Sequence, residues 1–360
     1  MSEPNIVRSG PNHYICEIGA AKKMDQYIAS FSKPVVFTGF KSFDAFNQYS
    51  ALPEHIPVIQ HKGYCYDEDI HIYAKELYNV DLVIGIGGGI VLDSAKSLAD
   101  YLDVEVILVP TVPGTCAATT PLSVMYDENG QYVRVDYHKR ASFLTVVDPK
   151  LLLSSPVNYV KSGIGDTLAK WYEADAIIRN TKNAHELSAM VYSGLNQAQY
   201  IRDILMADSE AAIKSLQEQK VTPAFTRVVE SIIMIAGTVG GFAVQYGRVS
   251  GAHAVHNGLS FVKEAHHVLH GQKVTYGILV QLMLENQREV VKKLMPFYEA
   301  LEFPRTLSDL GVTEKEEAKQ LVAAHAIKEE EALRFIGKFT KEEVMDAMDR
   351  VEIFTSTANL

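Results

Sequence analysis

The stretch Asp81-Leu82-Val83-Ile84-Gly85-Ile86-Gly87-Gly88-Gly89-Ile90-Val91-Leu92-Asp93 decides how this chain is read. A continuous apolar run ends in three glycines, and IVLDSAKSLADYL follows with helical spacing and Asp93 in its first turn. Strand, triple glycine and helix together suit a pyrophosphate: glycine lets backbone approach a ligand closely, and the helix start supplies free N–H donors and a positive dipole. The spacing departs from GxGxxG, because Ile90 takes the last glycine's place. A tight strand-to-helix turn without a ligand is therefore the competing reading.

Working outward, short β-branched runs recur at residues 34–39, 56–60, 104–110 and 142–148, with room for helices between them. Runs of this kind suit a sheet covered on both faces, the signature of parallel α/β architecture. Residues 121–137 break the pattern and read as a hairpin about Asn129-Gly130. Beyond about residue 155 the periodicity is helical, at 165–178, 186–206, 223–244 and 273–294. The expected fold is an N-terminal doubly wound parallel-sheet α/β domain with a β-hairpin, residues 1–160, followed by an all-helical domain, residues 161–360. The boundary falls near 150–162. In such pairs a ligand is expected at the carboxyl ends of the strands, facing the other domain.

The whole chain agrees with two domains, since 360 residues at roughly 100–200 per domain allow two full cores. With 34 Lys+Arg against 44 Asp+Glu, the net charge of −10 and the lack of a basic block argue against a nucleic-acid partner. Small anions remain open, because helix ends bind them locally. Cys16, Cys65 and Cys116 are far apart and odd in number, which reads as a reducing cytoplasm. Met1-Ser2-Glu3-Pro4 carries no basic or apolar leader. The apolar stretch 228–244 is interrupted by Glu230 and reads as a buried helix, so no membrane partner is expected.

Metal-ligand chemistry is concentrated in the second half. Asp166 follows Gly163-Ile164-Gly165 where a helix is expected to begin, and its competing role is an N-cap. Five of the twelve histidines, His253, His256, His266, His267 and His270, fall within residues 253–270. One carboxylate and two imidazoles are the minimum set for a catalytic divalent metal with an open position. Spacing alone leaves open which two histidines coordinate.

VIGIGGGIVLDSAK (83–96), VPTVPGTCAATTPLSVMY (109–126), GIGDTLAKWYEA (163–174), AHAVHNGL (252–259) and LHGQKVTYGILV (269–280) appear in that order. They resemble the successive signatures of the metal-dependent, iron- or zinc-type alcohol dehydrogenase superfamily in its glycerol dehydrogenase-like branch. The resemblance implies an NAD(P)(H)-binding α/β domain, a helical metal domain and an active site in the cleft between them. It makes Asp166, His253 and His270 the metal ligands. It also puts Gly87, Gly88, Gly89, Asp93, Thr111, Thr115, Thr120, Leu122 and Tyr126 around the cofactor. The implied chemistry is hydride transfer between the nicotinamide and an alcohol carbon, with the metal polarising the oxygen. His256, one helical turn from His253, is a candidate proton relay, and hydrogen bonding within the helix packing is its other role. A homo-oligomer acting on a small molecule is expected.

Three departures bear on specificity. Glycerol dehydrogenases have an Asp where this chain has Cys116. That Asp holds a substrate hydroxyl, so its absence weakens a glycerol assignment and removes a charge that would repel an anion. Branches with a fourth protein ligand, often iron enzymes, have a His where Lys170 stands, so three ligands and zinc are expected. Lys170 shares a helical face with Asp166 and could pair with a substrate carboxylate. Third, Thr38-Gly39-Phe40-Lys41-Ser42 lacks the acidic residue that excludes a 2′-phosphate, and Lys41 suits one, making NADP an option beside NAD. Together these favour the hydroxycarboxylate dehydrogenase-like subgroup, which interconverts 2-oxo and 2-hydroxy acids. A glycerol or other polyol dehydrogenase is the alternative, and a dehydroquinate synthase-like lyase the remote one.

Overall fold

The computed structural model describes residues 6–357; the Met1–Pro4 segment lies outside them. Among the described residues eight strands form: β1 His13–Cys16, β2 Pro34–Gly39, β3 Val58–His61, β4 Leu82–Gly87, β5 Glu105–Pro110, β6 Leu122–Tyr126, β7 Tyr132–Tyr137 and β8 Leu144–Val147. Six make one sheet in the order β1-β8-β5-β4-β2-β3, with every neighbouring pair parallel. The five expected sheet strands are present. β1 is the addition, an edge strand whose half-exposed His13–Cys16 carries no apolar run to announce it.

Burial explains why these strands lie centrally. All six residues of β4 are buried, as are the four of β8. Val36, Ile84, Ile86, Ile107 and Val146 form one core with Met24 and Phe46. Leu144 and Ile28 extend it. The chain runs outward from β2 to β3, then returns to place β4 on the other side of β2 and continues to β5. The order therefore reverses between β2 and β4, and the carboxyl ends of these two strands are where such sheets bind ligands. Thr38 ties them, its hydroxyl donating to Ile86 O at 2.8 Å.

The expected hairpin is β6–β7, with Gly130 at φ 78° in its turn. A buried ion pair seats it. Lys96 Nζ lies 2.8 Å from Asp93 Oδ1 and donates to the carbonyls of Thr120 and Leu122. Asp93 Oδ2 accepts from Val124 N at 3.1 Å, and Asp93 O accepts from the Ser123 hydroxyl. Burial pushes the Asp93 carboxyl up in pKa, and Lys96 opposes that shift.

Two compact units emerge, and they differ from a single cut at residue 160. One comprises Arg8–Val160 with Ala211–Gly241; the other comprises Met1–Val7, Lys161–Glu210 and Phe242–Leu360. Residues 211–241, expected in the helical domain, join the sheet-bearing unit through close contacts that periodicity cannot reveal. A Cβ on Gly237 would sit 2.7 Å from Thr119 Oγ1, and the Thr119 hydroxyl donates to Ile233 O inside the π-helical turn Ser231–Ile235. Arg8 N donates to Gly241 O at 3.0 Å, and Lys150 Nζ to Gln219 O at 3.0 Å.

The other unit is helical. Its helices include Val157–Asn180 from Lys161 onward, Gly251–Leu259, His270–Leu284 and Arg288–Ala300. The run expected at 273–294 is two helices, broken where Asn286 takes φ 57°. The apolar stretch is longer than its sequence reading: Pro223–Gly247 has the length and composition to cross a membrane, so length does not exclude a span. The most apolar 18-residue window of it is 56% buried inside the protein.

The Asp93–Lys96 pair sets the first prediction. Lys96→Met strands a buried carboxylate and lowers stability by about 3–5 kcal/mol, read as a lower unfolding midpoint. Asp93→Leu combined with Lys96→Met should recover most of that loss; a double variant as unstable as the single one would refute the pairing.

Candidate active site

In the sheet-bearing unit, Gly87 ends β4, Gly88 caps the helix and Gly89 begins Gly89–Leu102. None of the three needs a positive φ. Gly87 is required by packing, since its Cβ would lie 2.6 Å from Val91 Cβ. Gly88 is different: only Val112 Cγ2, at 3.2 Å, lies near a Cβ built there, and the cap makes no side-chain hydrogen bond. The half-buried turn Gly88–Gly89 thus presents first-turn N–H groups that have no partner within the helix, a fit for a phosphate.

The other residues expected around a cofactor lie in the same unit. Thr111 N donates to Gly87 O, and Thr115 Oγ1 would lie 3.0 Å from a Cβ on Gly89, so this loop borders the glycine turn. Thr120 Oγ1 donates to Cys116 O. Leu122 and Tyr126 bound β6, and burial pushes the Tyr126 hydroxyl up to about 12. Asp93 differs from expectation: both carboxylate oxygens are engaged inside the fold, so its visible role is to seat the hairpin. Lys41 is exposed in the first turn after β2, while the Ser42 hydroxyl is used as a cap, accepting from Gly39 N at 3.0 Å.

In the helical unit, Asp166, His253 and His270 bring one ligand atom each within 4.8 Å of one another. Asp166 lies nine residues inside Val157–Asn180, so the N-cap role is out. His253 is near the start of Gly251–Leu259, and His270 opens His270–Leu284. His253 Nε2 is 3.2 Å and His270 Nε2 3.4 Å from Asp166 Oδ1. The helices reach this proximity through glycines beside the ligands. A Cβ on Gly271 would fall 1.8 Å from Ser162 O, and one on Gly165 would fall 2.8 Å from Gly271 O.

Of the five clustered histidines, the fold selects two. The exposed His266 turns back, its Nε2 3.0 Å from Ser260 O, and His267 lies against Gly311. His256 stacks edge-on to His270, with ring centroids 4.2 Å apart, and its Nδ1 is 3.0 Å from Asn257 Oδ1. Burial, reinforced by His270, His253 and Lys273, holds His256 neutral, well below the usual histidine range.

Glu173 is the site residue that sequence reading missed. It is fully buried and lies two turns beyond Asp166 on the same helix. Its Oε2 is 2.8 Å from His253 Nδ1, and its Oε1 accepts from Ser250 N at 2.7 Å and His253 N at 3.0 Å. Glu173 thereby orients the His253 ring and turns Nε2, the nitrogen that would coordinate, toward Asp166. Only its seven-residue spacing from Asp166 could have pointed to it. Burial opposes the charge on His253, but Glu173 and then Asp166 outweigh it and raise its pKa to about 9. Burial likewise opposes ionisation of Asp166, yet hydrogen bonds from His253 and His270 hold that carboxyl well below its usual range. One carboxylate and two imidazoles, with the buried histidine oriented by a second carboxylate, fit a catalytic divalent metal.

Comparison with known proteins identifies the family. The family described as iron-containing alcohol dehydrogenase matches residues 11–149. Hydroxycarboxylate dehydrogenase A of Escherichia coli (strain K12) is 36% identical over 359 residues, covering 98% of each chain. A glycerol dehydrogenase of Pseudomonas putida is 39% identical over 233 residues, 64% of this chain and 63% of that one. Among solved structures, a probable glycerol dehydrogenase from Sinorhizobium meliloti 1021 has a TM-score of 0.86 at 28% identity, covering 98% of this chain and 99% of that one. The chain belongs to the iron-containing alcohol dehydrogenase family and is an alcohol dehydrogenase-type oxidoreductase. This family uses NAD(H) and a divalent metal.

The metal cluster yields two expectations. Asp166→Ala should abolish metal retention through gel filtration, read by elemental analysis; unchanged content would refute the site. Glu173→Gln should keep the fold and weaken metal affinity roughly 10–100-fold in a chelator competition. An unchanged affinity would remove Glu173 from the site.

Proposed function

We propose that this enzyme interconverts small 2-oxo acids and 2-hydroxy acids, with NAD(P)(H) as hydride carrier. The observation that carries the reading is the company of the metal-ligand cluster. Lys170 lies one turn from Asp166 on the same helix, where branches with a fourth protein ligand have a histidine. Its Nζ lies 3.5 Å from Arg248 O. An ammonium beside a Lewis-acid site suits a substrate whose carbonyl carries an adjacent carboxylate. Cys116, replacing the acid expected of a glycerol enzyme, leaves the substrate loop without a repelling charge. The likeness to hydroxycarboxylate dehydrogenase A supports the same reading.

Asp166, His253 and His270 would hold the divalent metal. Three ligands without a fourth favour zinc over iron. When bound, the metal would supply Lewis-acid polarisation of the substrate oxygen. The residues of the chain do the rest. Glu173 orients His253, the Gly88–Gly89 turn meets the cofactor phosphates, and Lys170 attracts the carboxylate. His256, kept neutral, can take up or return the hydroxyl proton. Lys41 in the first turn after β2 can accept a 2′-phosphate, which makes NADP(H) usable.

Zinc-loaded enzyme assayed with 2-oxobutanoate, 2-oxoglutarate and glycerol, using both phosphorylated and unphosphorylated cofactor, tests the reading. Faster turnover of glycerol than of every 2-oxo acid would replace it by the polyol dehydrogenase reading, which the Pseudomonas putida relative favours. Lys170→Ala should raise KM for 2-oxo acids more than for neutral aldehydes; equal effects would remove Lys170 from the substrate site.

A further inference from the structure

Lys273 is one turn beyond His270 in His270–Leu284, so the two side chains leave the same helix face. Its residue is only 8% exposed, but its Nζ is not among the buried polar atoms that lack a partner, so the aliphatic stem is packed away while the ammonium itself stays accessible. Among the described residues, no carboxylate or carbonyl pairs with its ammonium, and burial alone lowers its pKa with no acid offsetting the shift. The ammonium is close enough to the cluster to disfavour the charged form of His256.

The other buried lysine is a useful contrast. Lys96, 4% exposed, has Asp93 and two carbonyls around its ammonium. Lys170 is half-buried and already engaged near Arg248 O. Packing does not account for the charge of Lys273, because a methionine would fill the space of the buried stem without an ammonium at its end. What Lys273 lacks is an acidic partner, and an anion is what a 2-oxo acid presents one carbon–carbon bond from its reacting carbonyl.

We propose that Lys273 is the principal anchor for the substrate carboxylate and so selects anionic over neutral carbonyl compounds. This deepens, and rests on, the 2-oxo acid reading above. Lys170 then plays the lesser part, at the rim.

The experiment compares wild type and Lys273→Met, both zinc-loaded, on 2-oxobutanoate and on the neutral 1-hydroxy-2-butanone. Wild type tests the underlying reading by itself: no preference for the acid would end that reading. Given a preference, Lys273→Met should cut kcat/KM for 2-oxobutanoate roughly 10–100-fold, mainly through KM. The neutral ketone should stay within about threefold, and Tm should be unchanged or higher, since methionine fills the space of the buried stem and no ion pair is lost. Oxamate binding to the enzyme–NADH complex, read by calorimetry, should weaken in parallel. Equal losses on both substrates, an intact preference, weakened NADH binding alone, or a variant of lower Tm or unable to fold would each overturn the proposal.

Discussion

The cluster depends on the contact between Glu173 and the first turn of Gly251–Leu259. A carboxylate with no exposure is costly unless its oxygens are satisfied, and here two backbone N–H groups and one imidazole nitrogen satisfy them. Those donors belong to the start of a helix, where N–H groups lack intrahelical partners and the dipole is positive. One interaction therefore caps a helix, neutralises a buried acid and aims a histidine. Gln281, fully buried, extends the arrangement. Its Oε1 accepts from Ala252 N at 2.9 Å and its Nε2 donates to Tyr172 O at 3.0 Å, linking three helices.

Such a tight meeting of helices requires missing side chains. Besides Gly165 and Gly271, Gly277 lets His270–Leu284 approach so closely that a Cβ would lie 2.2 Å from Ala252 O. Glycine inside a helix costs roughly 1 kcal/mol relative to alanine. Three such positions around one cluster are better explained by the geometry they permit than by helix stability. Two of them directly adjoin Asp166 and His270, so the LHG and GIGD segments encode both a ligand and its means of approach.

This explains what was legible in the sequence. The sheet strands were readable because buried parallel strands are uniformly apolar, whereas β1 lies at an edge and carries His13 and Cys16 instead. Asp166 and the histidine group stood out by chemistry and spacing; spacing left the choice among five histidines open, the family resemblance named His253 and His270, and the helix directions bring those two to Asp166. Glu173 and Lys273 were hidden for the same reason: each looks like a solvated charge until burial is known. The assignment of residues 211–241 depended on loop-to-helix contacts such as Thr119 with Ile233, which leave no periodic trace.

Buried charge then separates architecture from chemistry. Asp93 with Lys96 and Glu173 with His253 are closed systems, in which each charge is met by a partner within the fold. Stability can account for both, since removing either partner leaves a desolvated ion. Lys273 does not have that closure. The 2-oxo acid proposed above would bring both an oxygen donor for a metal held by Asp166, His253 and His270 and a carboxylate for the ammonium of Lys273, one helical turn from His270. A neutral polyol supplies the first and not the second.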